Sequence, residues 1–179
     1  MLQRVIDRLL GVCAESIVVA APGQVIDAGI RVVHDDIADR GPLAGLAKAL
    51  ESVTAPWTVV VSCDSPFLSR RLIREMFALA EPFDVVVPER NGRLQPLMAI
   101  YSGAVRQAAG RRLATGRLRL TDLLHDDTLR VHTVRESEWT EWGVTDRSFL
   151  NLNTPEEFEE ARRILEDPEI AKRLLEERP

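Results

Sequence analysis

A run of apolar residues that ends in a carboxylate most constrains how this chain can fold. Residues 58–63 read TVVVSC, and Asp64, Ser65 and Pro66 follow directly. Three consecutive valines are typical of a strand covered on both faces, as in a parallel sheet with helices on each side. Ligands of such sheets bind beyond the carboxyl ends of the strands, which is where Asp64 is predicted to lie.

The carboxylate of Asp64 is open to two interpretations. Mg²⁺ is commonly held by one or two carboxylates together with substrate phosphates, so Asp64 is a candidate metal ligand in a nucleotide site. Asp64 is equally suited to begin an Asx-type turn before Pro66 and to have no other role. The position alone does not separate these two roles.

Strand and helix patterns alternate along the chain. Strands are predicted near residues 16–20, 30–34, 57–63, 84–88, 97–101 and 149–153, and helices near residues 2–10, 42–50, 69–79 and 155–165. This order predicts an α/β fold with a mostly parallel sheet and helices on both faces. In the strand at residues 149–153, Asn151 and Asn153 are two apart and would point to the same side.

Composition excludes several classes of protein. The chain has 179 residues, which suits one domain with a substantial core, and its net charge is -5, which argues against a general nucleic-acid surface. The sequence has no apolar stretch long enough to span a bilayer, so no membrane partner is expected. Cys13 and Cys63 are predicted to be reduced thiols in the core of a cytoplasmic protein.

Four short motifs occur in a fixed order. They are GPLAGL at residues 41–46, SCDSPF at 62–67, QPL at 95–97 and NLNTPEE at 151–157. This series resembles the molybdenum cofactor guanylyltransferases, the molybdopterin-guanine dinucleotide biosynthesis protein A family. The resemblance covers residues 1–165, which would form a Rossmann-like nucleotidyltransferase domain. Residues 166–179 lie outside it and are predicted to form a separate C-terminal helix.

The resemblance implies a reaction and its reactants. Members of the family transfer GMP from GTP to the molybdopterin cofactor, which yields the guanine dinucleotide form and pyrophosphate, with Mg²⁺ as the cofactor. GTP and molybdopterin are therefore the expected small-molecule partners. Other proteins of molybdenum cofactor biosynthesis, or a second copy of the chain, are the implied protein partners.

The resemblance also assigns roles by position. Asp64 resembles the catalytic aspartate that contacts magnesium and the nucleotide phosphates, and Asp35 resembles a guanine-nucleotide contact. Gly41, Pro42 and Leu43 would place a helix N-terminus beside the nucleotide, while Gln95, Asn151 and Asn153 would lie toward the pterin substrate or the metal. Simpler roles remain open: Asp35 would solvate its loop, Gly41 would allow close helix packing, and Asn151 would satisfy buried backbone groups.

The chain departs from the family at its front. Family members begin with an apolar strand and a glycine-rich loop, followed by a lysine that neutralises phosphate charge, and here this first strand and loop are missing. Lys48 and Lys172 are the two lysines of the sequence, and neither lies in a glycine-rich loop. Two neighbouring strands would be left with unpaired backbone groups, each costing about 1–3 kcal/mol when buried.

Three explanations fit this departure. The one we favour is that Met1 is an internal methionine of a longer reading frame. Alternatively, another chain or a rearranged sheet fills the gap, or the protein is a binding module that has lost catalysis. We expect catalysis to need more than these residues, because the loop amides and the lysine that complete the phosphate site are missing.

Other functions suit the same residues. One is a different nucleotidyltransferase, which acts on a sugar phosphate or uses CTP to modify another cofactor. Another is a non-catalytic relative that binds a nucleotide or a partner. A glycosyltransferase is disfavoured because Pro66 occupies the position where those enzymes often have the second carboxylate of a pair.

Overall fold

The computed structural model describes residues 1–36, 40–152 and 154–166. The helices are α1 (Leu2–Leu10), α2 (Gly41–Ser52), α3 (Arg70–Ala78), α4 (Val105–Ala114), α5 (Leu120–Leu123), α6 (Glu136–Glu141) and α7 (Pro155–Glu166), with a 3₁₀ helix over Asp146–Phe149. The strands are β1 (Ile17–Ala20), β2 (Arg31–His34), β3 (Trp57–Val61), β4 (Val85–Arg90), β5 (Arg93–Leu94), β6 (Met98–Ser102) and β7 (Val131–Val134).

Local sequence signals explain several helix starts. Ser69 caps α3 by accepting a hydrogen bond of 3.1 Å from the backbone nitrogen of Leu72. Thr154 and Glu157 form a reciprocal capping box at the start of α7, with hydrogen bonds of 3.0 and 3.2 Å. Pro42 lies in the first turn of α2, where its missing N–H costs nothing. These starts confirm the sequence predictions.

The strands form two separate sheets. Strands β1 and β2 pair in parallel as one sheet. The other sheet has the order β3-β6-β4-β5, with β7 also paired to β4. Strand β6 runs antiparallel to both β3 and β4, while β7 is parallel to β4, so β3, β4 and β7 share one direction.

The α/β fold with helices on both faces is confirmed, but the sheet is mixed rather than mostly parallel. The cause lies in the turn after β4, where Asn91 and Gly92 both have positive φ values of 50° and 67°. Turns of this kind reverse the chain tightly, and here the turn produces the short antiparallel strand β5. The chain then returns as β6 between β3 and β4, opposite to both.

Alternate residues of the central strands build two cores. Val85 and Val87 of β4 pack with α2, α4 and α5 on one face. Val86 of β4 and Ile100 of β6 pack with α1, α3 and α6 on the other. All four of these side chains are fully buried. The period of two along each strand therefore supplies both helical layers with apolar contacts.

Helix α1 is fixed to the second of these layers by two arginines. Arg70 donates hydrogen bonds to the carbonyl oxygens of Arg8, at 3.1 Å, and Asp7, at 2.7 Å, near the C-terminal end of α1. Arg8 in turn donates to the carbonyl oxygen of Leu68 at 2.8 Å. The two bonds from Arg70 satisfy carbonyls that the last turn of a helix leaves open.

A cavity lies where the two sheets face each other. Among the described residues, β1 pairs with β2 alone and β3 pairs with β6 alone. Strand β3 and residues 17–19 of β1 line a cavity of about 810 Å³, which we call the β1–β3 cleft. The two strands that were predicted to have unpaired edges are therefore β1 and β3.

The strand predicted at residues 149–153 is wrong. The chain there forms the 3₁₀ helix and then residues 150–152 without regular structure. The prediction that Asn151 and Asn153 share one side of a strand fails with it, and Asn153 itself lies outside the described residues. The C-terminal helix beyond Glu166 also lies outside them and stays a prediction. No helix in the described part of the chain is long and apolar enough to cross a membrane.

Candidate functional site

Asp64 lies in the turn that follows β3, at the carboxyl end of that strand. The turn is held by the backbone nitrogen of Ser62, which donates to Leu97 O at 2.9 Å, and by Ser65 N, which donates to Ser62 O at 3.3 Å. The Oδ1 atom of Asp64 is buried and has no hydrogen-bond partner among the described residues. A buried carboxylate oxygen without a partner is costly, and a bound cation would offset that cost.

Two hydrogen bonds join this turn to the loop after the 3₁₀ helix. Ser65 Oγ donates to Asn151 Oδ1 at 2.8 Å, and Leu152 N donates to the carbonyl oxygen of Asp64 at 3.1 Å. The structure therefore places Asn151 beside the Asp64 turn, and its predicted role toward the pterin substrate or the metal stays a prediction. Ser65 was not predicted as a site residue, although it is only 1% exposed. The available signal was a small hydroxyl residue between Asp64 and a proline, in a buried stretch.

Arg90 holds the 3₁₀ helix that precedes this loop. Its Nε and Nη2 atoms donate to the two carboxylate oxygens of Asp146 at 2.5 and 2.6 Å. Its Nη1 atom donates to the carbonyl oxygen of Phe149 at 3.2 Å. Two-point pairing of this kind fixes orientation as well as distance, so the 3₁₀ helix is anchored to β4. Asn151 lies just after the 3₁₀ helix, so the same contacts help to position it.

Gln95 lies near the same edge of the sheet. It precedes Leu97, whose carbonyl oxygen accepts from Ser62, and the start of β6 is thereby placed beside the Asp64 turn. The side chain of Gln95, however, donates to the carbonyl oxygen of Arg93 at 2.9 Å, within its own hairpin. This bond supports a role in shaping the hairpin, and a substrate contact stays a prediction.

Asp35 lies at the carboxyl end of β2, on the smaller sheet. Its backbone nitrogen donates to Ala20 O at 2.9 Å, which continues the pairing of β1 with β2. The neighbouring Asp36 accepts two hydrogen bonds from Lys48 Nζ, at 3.0 and 2.8 Å. The hydrogen bond to Asp36 raises the pKa of Lys48. Lys48 is thus a fixed positive charge beside the Asp35 loop.

Helix α2 begins with a backbone conformation that glycine adopts readily. Gly41 has a φ of 66°, in the left-handed region, and a Cβ built there would meet nothing within 4 Å. Pro42 is exposed, whereas the side chain of Leu43 is fully buried in the core. Only the backbone amide of Leu43 is therefore available to a ligand. The exposed N-terminus of α2 presents amide hydrogens to an anion, as helix starts generally do.

The described residues contain no group of three or more His, Cys, Asp or Glu that could hold a metal ion. A cation at Asp64 would therefore take its other ligands from phosphates and water, which is the usual arrangement for Mg²⁺. Cys63, next to Asp64, is exposed, so the prediction that it is a core thiol is wrong. The chain turns away from β3 at this residue and carries its side chain out of the core.

Two curated proteins are similar to this chain in sequence. A molybdenum cofactor guanylyltransferase from Desulfosudis oleivorans is 32% identical over 90% of this chain and 80% of its own length. A protein of Pelotomaculum thermopropionicum, named a probable guanylyltransferase of the same cofactor, is 34% identical over 93% of this chain and 81% of its own.

Two solved structures have the same fold at low sequence identity. Molybdopterin-guanine dinucleotide biosynthesis protein A from Archaeoglobus fulgidus is 22% identical, with a TM-score of 0.65 over 76% of this chain and 68% of that one. 2-C-methyl-D-erythritol 4-phosphate cytidylyltransferase from Thermus thermophilus is 18% identical, with a TM-score of 0.65 over 89% of this chain and 88% of that one. The predicted Rossmann-like nucleotidyltransferase fold is confirmed.

The family assignment rests on a match that covers most of the chain. Residues 1–132, which include the Asp64 turn, the start of α2 and Gln95, match one family of nucleotidyltransferase enzymes. The predicted family is therefore confirmed, and this protein belongs to the MobA-like NTP transferase domain family.

Proposed function

We propose that this protein is a guanylyltransferase that acts with Mg²⁺ to transfer GMP from GTP to the molybdopterin cofactor. The observation that carries the proposal is the buried Oδ1 of Asp64 at the carboxyl end of β3, which has no hydrogen-bond partner among the residues that the structure describes. Its family is one of nucleotidyltransferases, and the relative from Desulfosudis oleivorans is named for this reaction. Nucleotidyl transfer needs a carboxylate where the phosphates bind, and Asp64 meets that need.

Several residues would act together on the nucleotide. Asp64 would hold Mg²⁺, which when bound neutralises phosphate charge and orients the reacting phosphoryl group. The start of α2, with Gly41 and the amide of Leu43, would bind an anionic group through its free N–H groups. Asp35 would contact the guanine nucleotide from the smaller sheet.

The loop after the 3₁₀ helix would receive the second substrate. Asn151 is exposed and lies at the Asp64 turn through its bond to Ser65, at 2.8 Å. Its amide group has donors and acceptors that suit a pterin. Gln95, at the same edge of the sheet, would complete the proposed substrate side, and a substrate contact by Asn153, outside the described residues, stays a prediction. Because Ser65 and Arg90 fix this loop, Asn151 keeps its position without help from the ligand.

Calorimetric titration of the protein with GTP in the presence of MgCl₂ tests the proposal. We expect binding of GTP that weakens at least about tenfold when Mg²⁺ is removed or when Asp64 is replaced in Asp64→Asn. Asp36→Asn is the matched control, since the Asp36 carboxylate already pairs with Lys48. Absence of GTP binding with Mg²⁺ would reject the proposal.

Two further measurements separate the alternatives. Tighter binding of CTP than of GTP would favour a cytidylyltransferase acting on another substrate. Binding of GTP without release of pyrophosphate, in the presence of molybdopterin, would favour a relative that binds nucleotides without turning them over. The guanylyltransferase proposal requires GTP preference, together with pyrophosphate release once the loop amides and the lysine that catalysis is expected to need are supplied.

A further inference from the structure

Arg93 lies in the hairpin between β4 and β5 and carries a charge that no described residue neutralises. It is the first residue of β5 and is exposed. Its guanidinium makes no hydrogen bond or ion pair with the residues that the structure describes. Exposed arginines are common on protein surfaces, so the surroundings of Arg93 decide whether it has a further role.

The pairing of the hairpin gives the direction of the Arg93 side chain. Arg93 lies directly opposite Arg90 in the antiparallel pairing of β4 and β5. Residues opposite each other point to the same face of a sheet, with Cβ atoms about 4.5–5.5 Å apart. Leu94 packs against the core that contains α2 and α4, so its neighbour Arg93 points to the other face, together with Arg90.

That face holds the loop proposed to receive the second substrate. Arg90 donates to Asp146 and, at 3.2 Å, to the carbonyl oxygen of Phe149. Asn151 follows two residues after Phe149 and is exposed. Arg93 therefore lies beside the contacts that help to position Asn151, on the proposed substrate side.

The charges of the described residues around this hairpin leave Arg93 available to an anion. Both carboxylate oxygens of Asp146 accept hydrogen bonds from Arg90, so that acid is already paired. Glu136 on α6 also approaches the hairpin, but its Oε1 accepts a backbone N–H of the hairpin turn at 2.8 Å. Arg147 is exposed and adds a positive charge to the 3₁₀ helix. Three arginines thus face two carboxylates, and one positive charge is in excess.

Hydrogen bonds hold the backbone of Arg93 in place. The backbone nitrogen of Gln95 donates to Pro88 O at 2.9 Å, which closes the hairpin after its tight turn. The side-chain Nε2 of Gln95 donates to the carbonyl oxygen of Arg93 at 2.9 Å. An ordered backbone reduces the entropy that a ligand must overcome on binding. Gln95 would therefore support a ligand through Arg93.

The proposed reaction identifies the anion, so this step rests on the proposed function. A guanine dinucleotide joins two phosphates, and GMP supplies one of them. The second substrate must therefore bring the other as a phosphomonoester. Its oxygen forms a bond to the α-phosphorus of GTP, and pyrophosphate leaves with the electrons of the bond that breaks. Asn151 and Gln95 are neutral, so the proposed substrate side needs a cation for this phosphate.

We propose that Arg93 binds the phosphate of the second substrate, a pterin phosphomonoester. The planar guanidinium of an arginine can donate two parallel hydrogen bonds to phosphate oxygens. Arg90 is already paired with Asp146, so it supports the neighbouring loop while Arg93 supplies the free charge. Arg93 thereby distinguishes a phosphorylated pterin from one without phosphate.

Two ligands that differ only in the phosphate test the proposal. The probes are hydroxymethylpterin phosphate and hydroxymethylpterin, and the anisotropy of pterin fluorescence reports their binding. We expect the unchanged protein to prefer the phosphate ester by at least about tenfold, and Arg93→Gln to lose most of that preference. Arg93→Lys should keep part of it, because lysine retains the charge but not the two-point geometry. Added salt should reduce the preference.

Arg117→Gln is the matched control for Arg93→Gln. Arg117 is exposed between α4 and α5, the helices that pack on the opposite face of the sheet, and the substitution removes the same charge. We expect this variant to keep the preference for the phosphate ester. Circular dichroism verifies that all three variants are folded.

Titration with GTP and MgCl₂ separates this proposal from the proposed function. We expect Arg93→Gln to bind GTP as the unchanged protein does. Weaker GTP binding with an unaltered phosphate preference would assign Arg93 to the nucleotide and overturn the proposal. No binding of either pterin, equal binding of the two, or an equal loss in Arg117→Gln would also overturn it. The pterin titrations contain no GTP, so a failure of GTP binding rejects the proposed function while the phosphate preference at Arg93 is judged separately.

Discussion

Ser65 donates a hydrogen bond of 2.8 Å from its hydroxyl to the side-chain oxygen of Asn151, which lies 86 residues later in the chain. The adjacent backbone bond from Leu152 to the carbonyl oxygen of Asp64, at 3.1 Å, reinforces it. Together the two bonds hold the loop after the 3₁₀ helix against the Asp64 turn. Ser65, which follows the proposed metal ligand Asp64, therefore helps to fix the position of Asn151.

A double-mutant cycle should detect this coupling. Ser65→Ala removes the donor, Asn151→Ala removes the acceptor, and the double variant removes both. We expect a coupling energy of about 0.5–1.5 kcal/mol in urea unfolding, because that is the net contribution of a typical hydrogen bond. Additive effects of the two substitutions would show that the bond does not stabilise the fold.

Sequence patterns predicted Asp64, the main carboxylate of the proposed site, but not the hydrogen bonds that hold the neighbouring loop in place. Asp64 follows an apolar run and precedes a proline, so both its strand end and its turn were predictable. Ser65 was missed because its role depends on a partner 86 residues away. The strand at residues 149–153 was predicted from apolar spacing, whereas the clamp of Arg90 on Asp146 and Phe149 fixes a 3₁₀ helix there. Such long-range bonds leave no local pattern.

The fold shows the same division between local and distant causes. A strand was predicted near residues 84–88, where β4 lies, and the helix starts at Pro42 and Ser69 followed from capping rules. Strand direction was not predicted correctly, because the residues of β6 fit a strand in either orientation. The hairpin at Asn91 and Gly92, where both residues have positive φ, decides that orientation.

The two-point ion pair between Arg90 and Asp146 should stabilise the protein measurably. Asp146→Asn weakens the pair, whose side chains are 21% and 58% exposed. We expect a loss of about 1 kcal/mol in the free energy of unfolding, which shrinks as salt is added. Glu15→Gln is the control, since Glu15 and Arg31 form a single-point pair at 3.3 Å with both side chains over half exposed. An equal loss in both variants would contradict the special role of Arg90.

Two glycines of α2 should respond in opposite directions to alanine. Gly41 has a φ of 66°, so Gly41→Ala forces a side chain into the left-handed region and should destabilise the protein by about 1 kcal/mol. Gly45 has ordinary helical geometry, so Gly45→Ala should stabilise it by about 0.5–1 kcal/mol. Thermal unfolding of the two variants compares them directly. Stabilisation by Gly41→Ala would refute the backbone assignment at Gly41, and destabilisation by Gly45→Ala would refute the one at Gly45.

Asp84 should make stability depend on pH in the acid range. Burial favours its neutral form, but hydrogen bonds from Arg130 and Ser102 outweigh this and lower the pKa of Asp84. Its contribution is therefore complete above the unfolded-state pKa, near pH 4, and is lost as pH falls through the lower folded value. Asp84→Asn lacks this dependence. The gap in unfolding free energy between the two proteins should narrow from pH 6 to pH 3, and a constant gap would contradict the prediction.

Asp64 should contribute to ligand binding and not to stability. Its Oδ1 is buried without a hydrogen-bond partner in the described part of the chain, and a buried polar atom without a partner lowers stability. Replacement by asparagine keeps the shape and removes the charge. We therefore expect Asp64→Asn to unfold at the same or a higher temperature without nucleotide, and to lose the added protection that GTP with Mg²⁺ gives to the unchanged protein. Asp36→Asn, which removes the partner of Lys48, should show the reverse: a small loss of stability and full protection by the nucleotide. Marked destabilisation by Asp64→Asn would indicate that Asp64 has a structural partner, and would remove the main argument for a cation at this position.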